Sequence, residues 1–246
     1  MQTIGVLGGM GPQASIRFYQ LLIGLSESVH GAKRNSDYPH VLLSNLPIPD
    51  LISDKQNEKK AVRMLTEEAR ILAEADADFL VIACNTMHLY IDECREAAGL
   101  PVLSMIETVK RRVLEQQHHR VGILGTSTTL RKGLYTTSLQ ENGVQVVVPV
   151  VGDQQRLDVI IKAIIAGSFT ALREKELREI IHAIEKEEID ALILACTELP
   201  LVISQEYTSV PLYSSLHILA EEACKVMYEK KRKDRRKAPR SRKKTS

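Results

Sequence analysis

Short apolar runs alternate with amphipathic stretches along nearly the whole chain. Residues 3–7 read as a strand ending at Gly8-Gly9. Residues 15–25 then place Ile16, Tyr19, Leu22 and Ile23 at helical spacing. Residues 40–46 are strand-like and run into the turn Pro47-Ile48-Pro49-Asp50. Residues 57–75 form a helix with Ala61, Met64, Leu65, Ala69 and Leu72 on one face. The run 78–83 is continuously apolar after its first residue, as a strand buried on both faces should be. A helix over 88–98, a short strand over 102–104 and a helix over 107–117 follow. The pattern then restarts. Strands are predicted at 120–124, 145–148, 191–195 and 210–213. Helices are predicted near 131–141 and at 157–165, 175–187 and 216–229. Such alternation predicts an α/β fold of parallel sheets covered by helices on both faces.

The restart is a repeat. Asp78-Phe-Leu-Val-Ile-Ala-Cys84 matches Asp190-Ala-Leu-Ile-Leu-Ala-Cys196, 112 residues later. Pro101-Val-Leu-Ser104 matches Pro211-Leu-Tyr-Ser214 at an offset of 110, and Gly5-Val-Leu-Gly8 matches Gly122-Ile-Leu-Gly125 at 117. Three landmarks in one order at nearly constant offset predict two pseudo-symmetric α/β units. Ligands of open parallel sheets bind beyond the carboxyl ends of the strands. Cys84 and Cys196 each stand just past such an end. Two units facing one another would set the two thiols on opposite sides of one cleft.

Composition narrows the chemistry. Hydrophobic residues make up 44% of the 246 residues, enough for a real core. No apolar stretch approaches the ~20 residues of a membrane span, and the start lacks the basic region of a signal peptide. Four cysteines without a C-x-x-C spacing suit neither a disulfide scaffold nor a zinc cluster, so a reducing, cytoplasmic setting is expected. The net charge of +2 hides an asymmetry: residues 229–246 hold eleven Lys or Arg against two acids, and the other 228 residues are net −7. Residues 230–246 are expected to be a disordered basic tail. Solubilising bulk is its plainest role, and contact with nucleic acid or an anionic surface is the alternative.

Two opposed thiols suit two-base proton transfer. One thiolate takes a proton from one face of a carbon acid while the opposite thiol returns a proton to the other face. The result is inversion. A free thiol has a pKa of about 8.5, which a helix N-terminus lowers, so each Cys is expected to be poised near neutrality. A single buried Cys is most simply a small hydrophobe. Cys94 and Cys224, on helices, are read that way. Cys84 and Cys196 differ because they are a matched pair, followed by Asn85-Thr86-Met87 and Thr197-Glu198-Leu199. Backbone amides in those segments are expected to hold a carboxylate.

Gly9-Met10-Gly11-Pro12-Gln13-Ala14 fits a relaxed G-x-G-x-x-A, yet the next strand ends in Ser44-Asn45 without the acid that binds ribose. A substrate-contacting loop is the better reading. Thr126 and Ser127 belong to the matching loop of the second half, either as substrate contacts or as helix caps. His118 and His119 are read as surface residues, and His88 as a residue that orders the Cys84 loop. Tyr19 and the methionines are read as core.

Cys84-Asn85-Thr86 with His88, and Cys196-Thr197-Glu198, resemble the signature pair of the cofactor-independent aspartate/glutamate/hydantoin racemase superfamily. Gly8-Gly9-Met10-Gly11-Pro12, Asp37-Tyr38-Pro39-His40, Pro47-Ile48-Pro49-Asp50 and Ser104-Met105-Ile106-Glu107 resemble its aspartate racemase branch. The resemblance spans about residues 3–228. It implies two pseudo-symmetric domains with the active site in the cleft between them, a homodimer, and neither pyridoxal phosphate nor metal. It implies catalytic Cys84 and Cys196, with Met10, Asn85, Thr86, Thr126, Ser127, Thr197 and Glu198 binding an amino-acid substrate. The expected first domain is 1–99 plus 212–229, and the second 100–211.

Aspartate-specific members place an Arg where this chain has Leu51, and a Lys where it has Ile165. Leu51 and Ile165 are therefore expected to line the substrate's side chain, and the substrate need not be acidic. Hydantoin racemase and maleate-type isomerase are the alternatives within the fold. An arylmalonate-type decarboxylase typically keeps one of the two cysteines. A catalytically silent protein that binds through its basic tail is the alternative of another class.

Overall fold

A computed structural model describes residues 1–49 and 55–229. The first half runs β1 (Ile4–Gly8), α1 (Pro12–His30), β2 (Val41–Asn45), α2 (Lys55–Glu74), β3 (Phe79–Ile82), α3 (Ile91–Ala98), β4 (Val102–Leu103) and α4 (Met105–Glu115). The second runs β5 (Arg120–Gly125), α5 (Ser127–Arg131), α6 (Thr136–Gln140), β6 (Gln145–Val147), α7 (Val151–Ile165), α8 (Ala171–Glu185), β7 (Ala191–Ala195), β8 (Leu212–Ser214) and α9 (Ser215–Tyr228). The strands form two four-stranded parallel sheets, in the orders β2-β1-β3-β4 and β6-β5-β7-β8. The two orders are the same order, which is what the sequence repeat predicts. Among the described residues, no helix is long and apolar enough to cross a membrane.

Each landmark of the repeat has a physical job. Asp78 accepts the Thr3 amide at 2.7 Å, and Asp190 accepts the His119 and Arg120 amides at 2.6 and 2.8 Å. In each half the acid ties the start of one strand to its neighbour. Ser104 and Ser214 cap α4 and α9, accepting the amides of Glu107 and His217. Gly5 and Gly122 allow close packing. A Cβ on Gly5 would lie 2.5 Å from Leu80, and one on Gly122 would lie 2.6 Å from Ile184. Asp76 and Glu188, also 112 residues apart, both take left-handed backbone angles just before β3 and β7.

Helices cover both faces of each sheet. On the first sheet, Phe18 and Leu22 of α1 pack with Leu219, Ala223 and Met227 of α9, while α2 and α3 cover the other face. On the second, α7 and α8 fill one face, and Val109 and Val113 of α4 pack with Leu139 on the other. The helix after each fourth strand thus crosses to the opposite sheet. This reciprocal exchange sets α9 against the first sheet. It moves the expected boundaries, because β4 pairs with β3 in the first sheet and β8 with β7 in the second. Residues 102–103 therefore belong with the first sheet and 212–214 with the second.

Two local expectations are corrected. The buried face of α1 is Ala14, Ser15, Phe18, Leu22 and Ser26, whereas Ile16 and Tyr19 are exposed. Tyr19, at 45% exposure, is not core. The single helix expected near 131–141 is two short ones, α5 and α6, separated by Gly133 in a left-handed conformation.

Candidate functional site

The carboxyl ends of β1 and β3 meet those of β5 and β7 around one cleft of about 220 Å³. Gly9 to Pro12, Ile48, Pro49 and Cys84 to Met87 line it from the first half. Thr126, Thr128, Thr129, Ile161, Ile165 and Ala195 to Glu198 line it from the second. Both cysteines of the matched pair reach this cleft. All four cysteines are free, and Cys94 and Cys224 are buried on α3 and α9. Among the described residues no group of three His, Cys, Asp or Glu side chains is placed to hold a metal ion.

Cys84 follows β3 in a loop that becomes a 3-10 turn, Thr86–Tyr90. His88 holds this loop. Its Nδ1–H donates to the Cys84 carbonyl at 2.8 Å, and its Nε2 accepts the Met105 amide at 2.9 Å. Both ring nitrogens are thus committed, and the Cys84 loop is pinned to the first turn of α4. Burial holds His88 neutral, its pKa pushed down to about 4. Asn85 is buried as well. Its Nδ2 donates to Ser215 Oγ at 3.1 Å and its Oδ1 accepts from the Tyr135 hydroxyl. Ser215 donates onward to the Leu194 carbonyl at 2.8 Å. Asn85 therefore ties the Cys84 loop to both β7 and the α5–α6 segment. Tyr135, fully buried, is a residue the sequence did not suggest.

Cys196 follows β7 directly and is 5% exposed. Its thiol donates to Glu198 Oε2 at 3.1 Å, and the Thr197 hydroxyl donates to the same oxygen at 3.0 Å. Glu198 Oε1 accepts the Gly11 amide at 3.2 Å from across the cleft. A Cβ on Gly11 would approach Glu198 Oε1 to 3.0 Å, so glycine lets the two halves close on this carboxylate.

The thiols are not poised near neutrality, contrary to the expectation from sequence. Burial first, then the Glu198 charge, pushes Cys84 up to about 12, against the opposing effect of the Met87 and Thr86 amides. The same two causes hold Cys196 well above the usual thiol range. The segment after Cys196 is a single 3-10 turn, whereas the 3-10 stretch after Cys84 runs directly into α3.

The remaining predicted residues divide. Met10, Thr86, Thr126, Thr197 and Ile165 line the cleft. The Thr129 hydroxyl shares hydrogen bonds with those of Thr86 and Thr126, each at 3.0 Å. Ser127 is not among the lining residues. Its amide and hydroxyl both donate to Asp158 on α7, so it fixes the loop from behind. Leu51 lies outside the described residues. Ile161 was missed, although it stands one helical turn before Ile165 and so shares its face. Among the described lining residues Glu198 is the single carboxylate, and no Lys, Arg or His is present. Arg131 and Lys162, on α5 and α7 beside the cleft segments, are exposed and do not line it.

The family described as Asp/Glu/Hydantoin racemase matches residues 7–223. The chain is similar to the broad specificity amino-acid racemase RacX of Bacillus subtilis (strain 168). The two are 29% identical over 221 residues, which cover 89% of this chain and 95% of that protein. Among solved structures it is similar to the Picrophilus torridus aspartate racemase, with a TM-score of 0.80 and 26% identity over 92% of this chain and 94% of that one. It is likewise similar to an aspartate racemase homologue from Pyrococcus horikoshii OT3, with a TM-score of 0.77 and 29% identity over 93% and 100%. The chain therefore belongs to the Asp/Glu/Hydantoin racemase family.

Proposed function

We propose that this protein is an amino-acid racemase, an isomerase that inverts Cα by proton transfer between Cys84 and Cys196. The observation that carries the reading is the pair of thiols, one per half, at the ends of equivalent strands in one cleft. A thiolate at one of them removes the α-proton. The thiol opposite donates its own proton to the other face of the carbanion. The first Cys is then the thiol and the second the thiolate, and the reverse reaction uses them in exchanged roles. Two sulfurs account for both proton positions, so the reaction as written needs neither pyridoxal phosphate nor a metal. Backbone and hydroxyl dipoles of the closed cleft stabilise the carbanion. Met10, Asn85, Thr86, Thr126, Thr197 and Glu198 orient the substrate.

The substrate class is uncharged, aliphatic amino acids rather than aspartate alone. Ile48, Pro49, Ile161 and Ile165 offer an apolar wall, and the described lining holds no cation for a distal carboxylate. RacX, named for broad specificity, supports a range wider than aspartate. A cytoplasmic homodimer is part of the proposal.

A racemisation panel over the amino acids in deuterated buffer tests it. Deuterium should enter Cα of several apolar amino acids. Activity confined to aspartate and glutamate would overturn the substrate class. Exchange into hydantoins or isomerisation of maleate, without amino-acid exchange, would move the protein to another branch of the fold. A nucleic-acid shift that depends on residues 230–246, with no exchange at all, would favour a silent binding protein.

A further inference from the structure

Glu198 presents a problem of charge. The residue is 4% exposed, and every hydrogen bond its carboxylate accepts comes from a neutral donor: a thiol, a hydroxyl and an amide. A buried carboxylate is costly unless a positive group faces it. No cationic side chain is present among the described residues of the cleft. Two carboxylate oxygens offer about four acceptor positions, and three are taken. The cleft thus holds an anion with acceptor capacity to spare, aimed where a substrate would sit. An amino acid at neutral pH supplies the missing cation, a compact ammonium with three donors.

We propose that Glu198 is the seat of the substrate's ammonium group, and that its carboxylate keeps Cys196 as a thiol until that ammonium arrives. This rests on the racemase reading and adds to it how the pair is switched on. In the resting cleft the Cys196 proton points at Glu198 Oε2. An incoming ammonium competes for the same oxygen and neutralises the charge that opposes ionisation of both sulfurs. The other groups facing the thiols are Tyr135, a neutral phenol, and His88, whose two nitrogens are committed to backbone. Neither can supply that positive charge. Substrate binding and thiol activation are therefore one event. The cleft is built to leave its cysteines inert toward other electrophiles while it is empty.

Two measurements that need no turnover test this on the intact protein. The first is calorimetric binding of 2-aminoisobutyrate, which has no α-proton, against isobutyrate, which lacks the ammonium. Wild type should prefer the amine by about a hundredfold, and E198Q should lose most of that preference. The second is iodoacetamide labelling of Cys84 and Cys196, followed by mass spectrometry from pH 6 to 10. E198Q should label faster than wild type by about tenfold at pH 8. E198D, which keeps the charge, should follow wild type in labelling while binding the amine less tightly. Equal preference for the amine in wild type and E198Q would overturn the ammonium seat. Superimposable labelling profiles would overturn the hold on Cys196. Failure of the racemase reading shows separately, as wild type that exchanges no amino acid.

Discussion

The two cysteine loops start from the same device and finish differently. Each thiol follows a buried central strand, and each strand is opened by an acid that clamps its neighbour. Beyond that the loops diverge. The Cys84 loop is fixed by a neutral histidine bonded only to backbone, and the sulfur faces amide groups. The Cys196 loop is fixed by a carboxylate that touches the sulfur itself. The repeat fixes where a thiol stands, because strand order and register decide that. What surrounds the thiol is set by one side chain after it, His88 or Glu198. The halves are symmetric as scaffolds and asymmetric as chemistry.

The largest test of that contrast is loss of either sulfur. Cys84→Ser and Cys196→Ser should each lower kcat by about 10²–10⁴, read by chiral chromatography. Wild-type turnover in either variant would break the pairing of the halves. Next comes His88. It is neutral when folded, with a pKa near 4 against an ordinary 6.5. Its contribution is present above pH 6.5 and is lost as pH falls toward 4, because the unfolded chain takes up the proton first. Wild type should lose about 3 kcal/mol across that window, and His88→Gln should lack the dependence in urea titrations at pH 7 and 4.5. A flat wild-type profile would break the assignment of His88 as a neutral strut.

The scaffolds should respond alike. Gly5→Ala and Gly122→Ala meet equivalent neighbours, so each should destabilise by about 1–3 kcal/mol in the same titration. A large difference between them would show that the symmetry of the sheets does not extend to their packing. The smallest effect is expected at the mouth of the cleft. Ile165 is 43% exposed there, and Ile165→Lys should raise kcat/KM for aspartate by about tenfold relative to an apolar amino acid. No change in that ratio would remove Ile165 from the side-chain pocket.

Much of the scaffold was legible because parallel strands buried on both faces must be continuously apolar, and a period of two or 3.6 survives in the sequence. The face of α1 was not legible. Ile16, Tyr19 and Ile23 share a helical stripe as good as Phe18, Leu22 and Leu25. Only contact with α9, some two hundred residues later, decides which stripe is buried. Ser127 looked like a substrate contact because it stands beside Thr126. Its partner, Asp158, comes from α7 and turns it away. Tyr135 reaches Asn85 across 50 residues, and no local pattern announces it.

The sequence by itself determined the two units, the strand ends, and the identity of the two thiols, since each follows from short-range pattern and its repetition. Tertiary structure decided what those thiols experience. Closing the halves gathers both sulfurs into one cleft, brings the Gly11 amide onto Glu198 and leaves the described lining without cations. Burial and a neighbouring charge act through space, so the shift of both thiols away from neutrality belongs to the folded cleft and to no segment of the chain.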